Sequence, residues 1–166
     1  MVETTRGLVF VHSAPSALCP HVEWAVGGVL RMPTHFSWTP QPAERGSYRT
    51  EYSWTGAPGT AAAIASALKG WERLRFEVTE EASRAVEAHR YSYTPSLGAF
   101  HAITGVHGDI LVAEDRIKAA VAREALGGKG IHAALDELLG RPWDDELEIF
   151  RHAAEGAPVR WLHQVV

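Results

Sequence analysis

The sequence predicts an α+β protein: a ferredoxin-like βαββαβ half, extended by a β-hairpin, three helices and a terminal strand. Over residues 7–80, two segments with helical spacing of apolar residues separate segments with strand character. In the second half a turn-centred hairpin comes first, and helical spacing begins near residue 114. The chain of 166 residues is long enough for one well-buried core. We expect residues 1–80 and residues 90–166 to form two halves packed as one unit.

The first strand, residues 7–13 (GLVFVHS), is apolar on both faces. Strands of this kind lie inside sheets that are covered on both sides. The C-terminal half or a second subunit is therefore expected to cover the second face. A helix over residues 16–31 follows, because apolar residues recur at helical spacing and Pro20 fits only a first turn.

The next four elements complete the first half. Alternation predicts strands in HFSWT (residues 35–39) and in SYRTEYSW (residues 47–54). TAAAIASALKGW, residues 60–71, has helical spacing. In the last strand, RLRFEVTE, three apolar residues (Leu74, Phe76, Val78) alternate with three charged ones (Arg73, Arg75, Glu77).

The second half begins with a hairpin around Thr94–Gly98. Helices are predicted from Glu114 and from Ile131, the latter ending at Gly140 and Pro142. Asp144 is the predicted N-cap of a third helix, and the acidic run that it begins is interpreted as a solvated first turn. APVRWLHQVV, at the end of the chain, is predicted to be a strand.

Composition limits the classes of partner. The net charge of −4 does not favour nucleic acid or anionic membranes, and no apolar run is long enough to span a bilayer. Residues 113–166 resemble a winged helix in element order but hold seven Lys and Arg against ten Asp and Glu, whereas a DNA-binding face is basic. The single cysteine excludes an internal disulfide, as expected for a cytoplasmic protein.

One candidate metal site is the stretch FHAITGVHGDILV, which contains His101, His107 and Asp109. These residue types bind divalent metals, and His107 and Asp109 would point the same way on a strand. Gly105 and Gly108 favour instead a turn, in which Asp109 bonds neighbouring backbone amides. Metal sites need three or four ligands, and no recognised metal-binding signature is present.

A candidate catalytic site lies in VHSAPSALCPHVEW, with His12, Cys19 and His21 between the first strand and the first helix. A helix N-terminus lowers the pKa of a thiol, and a nearby histidine can serve as its base. The alternative is that Cys19 is a small buried apolar residue.

Three stretches together resemble a known family: TRGLVFVHSAPSALCPHVEWAVGGVL, YSYTPSLGAFHAITGVHGDILVAEDRI and APVRWLHQVV. The chain is similar along its whole length to the actinobacterial domain-of-unknown-function family 3145. The resemblance implies a small cytosolic bacterial protein with no assigned activity and no catalytic residues to carry over.

The absence of a complete catalytic constellation favours a non-catalytic binding or regulatory module without a cofactor. Its partner would be a protein or a small metabolite, and a homodimer is one arrangement that the sequence leaves open. The alternative is a small enzyme that uses Cys19 or the His101, His107 and Asp109 group, with or without a divalent metal.

Overall fold

The computed structural model describes residues 3–84 and 86–153 of the chain. The strands are β1 (Thr5–Pro15), β2 (Thr39–Pro40), β3 (Ser47–Gly56), β4 (Arg75–Glu80), β5 (Ala88–Thr94), β6 (Gly98–Thr104) and β7 (Ile110–Leu111). The helices are α1 (Cys19–Leu30), α2 (Thr60–Leu68), α3 (Glu114–Ala125), α4 (Ile131–Leu138) and α5 (Arg141–His152). One short 3₁₀ turn, Ser16–Leu18, precedes α1.

All seven strands form one sheet in the order β2-β3-β1-β4-β5-β6-β7, and every neighbouring pair is antiparallel. The α+β class predicted from the sequence is confirmed. Because β4 pairs with both β1 and β5, the sheet runs without interruption from the N-terminal half into the C-terminal half.

The main core lies on the sheet face that α1 and α2 cover. Pro20 lies in the first turn of α1, as predicted. The predicted apolar side of β4 is fully buried here, together with the inward residues of β1 and both helices. Members of this core include Val9, Val11, Val22, Val26, Trp54, Ile64, Leu68, Leu74, Phe76 and Val78. At one end of this core, Glu80 accepts hydrogen bonds from the backbone amides of Gly59 and Ala61 at the start of α2.

Helix α5 packs on the opposite face of the sheet, against β1 and β5. Phe10 of β1 and Phe100 of β6 are buried on this side, as are Leu147 and Phe150 of α5. The Phe100 ring contacts Trp143, whose indole N–H donates to the carbonyl of Gly98. The predicted cover of the second face is therefore supplied by the C-terminal half.

Several element boundaries differ from the prediction, including those of α1 and α2, and two of them differ most. The strand predicted over residues 35–39 pairs only at Thr39 and Pro40, although Phe36 still packs in the core. Asp144 is not an N-cap, because α5 already begins at Arg141 after Gly140 and holds Pro142 in its first turn. The predicted strand APVRWLHQVV lies outside the described residues.

Gly140 joins α4 to α5 with a φ of 76°, a conformation that favours glycine. A Cβ atom at this position would lie 2.6 Å from the ring of Phe100. The glycine thus lets the chain turn against the buried aromatic ring.

Helix α3 is exposed along most of its length. Ala120 is its one buried side chain, whereas Ile117 and Val121 are 38% and 50% exposed. No helix in residues 3–84 or 86–153 is long and apolar enough to cross a membrane.

Candidate functional site

The structure places His12 and Cys19 on opposite faces of the sheet. Cys19 is buried with the α1 and α2 core, where its thiol lies 3.6 Å from the carbonyl of Pro15. Burial raises the pKa of the Cys19 thiol, opposite to the shift that activates a nucleophile. His21 is exposed and its ring contacts Trp71. The geometry therefore does not assemble the thiol and imidazole pair suggested by the sequence.

His12 instead contacts a buried carboxylate beneath α5. Its Nε2 lies 2.6 Å from Oε2 of Glu77, and both side chains are almost fully buried. Arg151 of α5 approaches the same carboxylate with two nitrogens, at 2.6 Å and 3.2 Å. Arg90 donates to it at 3.0 Å, and the Ser92 hydroxyl at 3.2 Å.

Asp144 extends this buried charge cluster (His12, Glu77, Arg90, Asp144 and Arg151) toward solvent. It accepts hydrogen bonds from Arg90 and, at 2.9 Å, from Arg151. Burial alone would raise the pKa of Glu77. The hydrogen bond from His12 and the positive charges of Arg151 and Arg90 outweigh burial and hold that pKa well below its usual value.

The acidic run at the start of α5 is not a simple solvated turn. Asp144 belongs to the buried charge cluster, and Glu146 accepts hydrogen bonds from the hydroxyls of Thr94, at 3.1 Å, and Ser96. The sequence did not single out Glu77. The two apolar faces of the first strand predicted that the second face of the sheet is covered. The one hint of a buried charge was that Glu77 alternates with the apolar residues of its own strand.

His101, His107 and Asp109 are spread over β6 and the turn that follows it. His101 stacks on Tyr91, and its Nε2 lies 2.9 Å from Nδ1 of His89. Residues 105–109 form the turn predicted from the glycines: the Gly105 amide donates to the carbonyl of Asp109, and Gly108 has a φ of 84°. The described part of the chain brings no three His, Cys, Asp or Glu side chains together as a metal-ligand group.

A cavity of about 1010 Å³ lies on the second face of the sheet, beyond the part that α5 covers. Several of the residues around it already have hydrogen-bond partners. Arg6 pairs with Glu81, and the Thr79 hydroxyl accepts from the Leu8 amide. Arg90 is engaged by Glu77.

A second cavity, of about 930 Å³, lies between β6 and the helices of the C-terminal half. We call it the β6 groove. Its walls comprise a strand edge, two helices and one indole ring. The lining residues are Ala99, Phe100, His101, Asp115, Arg116, Ala119, Ala120, Arg123, Leu126, Gly128, Lys129, Ala134, Glu137, Leu138 and Trp143.

Among the strands that the structure describes, none covers the edge of β6 in this groove. The edge strand β7 pairs only with Ile103 and Thr104, and within the described ranges no strand pairs with the outer edge of β6 from Gly98 to Ala102. The hydrogen bond from the Gly105 amide to Asp109 shows that odd-numbered residues direct their backbone groups away from β5. The N–H and C=O groups of Ala99 and His101 consequently point outward into the groove.

Charged side chains surround this open edge. Lys129 and Glu137 pair with each other. Arg116, Arg123 and Asp115 make no ion pair with any residue that the structure describes. Arg116 lines the same groove as His101. Burial lowers the pKa of His101, and the charges of His89 and Arg116 lower it further.

Comparison with known proteins places the chain in a family without assigning it a function. No curated protein and no solved structure matches the chain. A family model, described as a protein of unknown function (DUF3145), matches residues 8–164. Because this match spans nearly the whole chain, the protein belongs to the DUF3145 family.

Proposed function

We propose that the protein is a non-catalytic binding module whose β6 groove accepts an extended segment of a protein partner as an additional strand. The observation that carries this proposal is the open edge of β6. The N–H and C=O groups of Ala99 and His101 point into a groove rather than toward another described strand. An extended polypeptide can form hydrogen bonds with such groups along the whole strand edge. A small metabolite can bond to only one or two of them.

The floor of the groove suits the side chains of a bound strand. Alternate side chains of an added strand would point toward the C-terminal helices. Three alanines (Ala119, Ala120 and Ala134) leave room there, and Phe100 and Leu138 supply apolar surface. The groove volume of about 930 Å³ is within the range of pockets that bind ligands.

The exposed helix α3 supports a protein partner. Helices of globular proteins usually bury one apolar stripe, yet α3 buries only Ala120 among its side chains. Ile117 and Val121 remain accessible beside the groove. A partner that extends past the groove would cover this surface.

The non-catalytic part of the proposal is supported by the placement of the candidate residues. His12 is held by Glu77 under α5, and Cys19 lies in the opposite core with a raised pKa. We further propose that the N-terminal half is ferredoxin-like. The antiparallel order β4-β1-β3-β2 supports this assignment, as does the packing of α1 and α2 on one face.

The test is selection from a phage-displayed library of random peptides, followed by affinity measurement with labelled synthetic peptides. The matched variants are His101→Pro and His101→Ala. Both remove the imidazole, but only proline removes the outward N–H, and proline is tolerated on edge strands. We expect His101→Pro to bind at least about tenfold more weakly, a change of about 1.4 kcal/mol, and His101→Ala to bind nearly as the parent does.

The ligand supplies a second test that does not depend on folding of the variant. Only every second N–H of a bound strand points toward β6, so backbone N-methylation should abolish binding at alternate positions and be tolerated between them. Equal binding by both His101 variants, or methylation effects without alternation, would contradict edge binding. A dimer of the parent chain that His101→Pro converts to monomer would identify a second copy as the occupant and overturn the proposal.

A further inference from the structure

We propose that the segment bound in the β6 groove is acidic, with carboxylates at alternate positions that Arg116 and Arg123 recognise. This inference rests on the proposed function, because it names the chemistry of the strand that would bind there. The two arginines of α3 line the groove and make no ion pair with a described residue.

The two arginines lie on the same side of α3. Arg116 and Arg123 are seven residues apart, which is close to two helical turns and about 10.5 Å along the axis. The side chain of Arg123 uses its Nε to donate to the carbonyl of Ala119, which leaves its terminal nitrogens for a ligand. Among the described residues, neither guanidinium group is engaged by a carboxylate, and both line the groove beside the strand edge.

The spacing fits an extended chain. Side chains on one face of a strand recur every second residue, about 6.8 Å apart, and every fourth residue, about 13.6 Å apart. The spacing of about 10.5 Å between the arginines lies between these values, and arginine side chains are long enough to adjust to either. Carboxylates at alternate positions of a bound strand would consequently meet both guanidinium groups.

The remaining charges of the groove do not cancel this preference. Lys129 and Glu137 neutralise each other in an ion pair. Asp115 is the one other carboxylate in the lining, so the two arginines outnumber it. The guanidinium group binds a carboxylate through two parallel hydrogen bonds, which makes arginine well suited to this recognition.

The experiment compares three proteins and two peptides. The double variant Arg116→Gln/Arg123→Gln removes the proposed contacts. Its control is Arg45→Gln/Lys69→Gln, which removes the same charge from exposed positions that do not line the groove. The probes are the acidic peptide recovered most often from the random library and the same peptide with each Asp or Glu replaced by its amide.

We expect the library to yield peptides with Asp or Glu at alternate positions. The arginine double variant should bind the acidic peptide about tenfold more weakly than the control variant does, with a smaller difference at high salt. The amide peptide should bind weakly to all three proteins and distinguish none of them. Equal loss in the arginine variant and in the control would mean a general charge effect and would overturn the inference.

The outcomes separate this inference from the proposed function. Neutral peptides that depend on the N–H of His101 but not on Arg116 and Arg123 would preserve edge binding and refute carboxylate recognition. Failure to select any peptide that His101→Pro weakens would refute edge binding and, with it, the acidic ligand.

Discussion

Arg151 of α5 holds Glu77 of β4 with two nitrogens, Nη2 at 2.6 Å from Oε1 and Nε at 3.2 Å from Oε2. The two residues are 74 positions apart in the chain, and both are almost fully buried. This contact fixes the last described helix on the central part of the sheet, since β4 pairs with β1 and β5.

Replacing Glu77 by Gln should destabilise the fold strongly. The change leaves the buried Arg90 and Arg151 with Asp144 as their shared carboxylate, and Arg151 also lies 3.8 Å from Glu148. Breaking a buried ion pair by removing one partner costs about 3–5 kcal/mol. Urea unfolding followed by tryptophan fluorescence measures this loss. Glu81→Gln, at the exposed pair with Arg6, is the control and should leave the unfolding midpoint unchanged. Similar midpoints for the two variants would show that the cluster does not stabilise the fold.

Acid should weaken the fold through the same carboxylate. The folded-state pKa of Glu77 lies well below its unfolded value, so its contribution is fully present above the unfolded pKa of about 4.3. That contribution is lost as the pH falls from about 5 through the folded pKa. The free energy of unfolding, measured in urea at a series of pH values, should decrease less steeply in Glu77→Gln than in the parent protein. Parallel curves would assign the acid sensitivity to other groups.

Cys19 should react slowly with iodoacetamide at neutral pH. Its thiol is buried and its pKa is raised, so the thiolate that attacks the reagent is scarce. Because the chain has one cysteine, the mass of the intact protein reports the reaction directly. The same protein in urea provides the reference rate. Alkylation of the folded protein faster than that of the unfolded chain would show an accessible, activated thiol and revive the enzyme hypothesis.

Gly140→Ala should destabilise the protein more than Gly46→Ala does. Both glycines have positive φ, 76° and 85°, so both substitutions introduce backbone strain of about 1–2 kcal/mol. Only at Gly140 would the new Cβ approach another group, the ring of Phe100 at 2.6 Å, whereas nothing lies near Gly46. Thermal unfolding of the two variants gives the comparison. Equal shifts in Tm would mean that Phe100 moves aside without cost.

The sequence predicted the elements whose signals are local. Alternation identified the inward side of β4, and glycine positions identified the turn at residues 105–109. The start of α5 was predicted too late because of Pro142. Proline can follow the end of one helix or lie in the first turn of the next, and here Gly140 ends α4 so that Pro142 falls in the first turn of α5.

The candidate site depended on signals that are not local. The open edge of β6 results from the shortness of β7, and strand pairing is set by the arrangement of the whole sheet. The covered second face was foreseen from the two apolar sides of β1. The pairing of Glu77 and Arg90 with Arg151 under that cover could not be foreseen, because Arg151 lies 74 residues after Glu77 and meets it only through the packing of α5 on the sheet.

The position of Arg151 also bears on when the protein can reach its native state during synthesis. Translation completes β1 to β6 long before it reaches α5, so the nascent sheet holds Glu77 and Arg90 without their helical partner. Until residue 151 leaves the ribosome, one side of the sheet stays open to water and to chaperones. Final closure is therefore expected only after α5 has been synthesised, and a ribosome-bound chain that has not yet exposed α5 should be sensitive to proteases that spare the native protein.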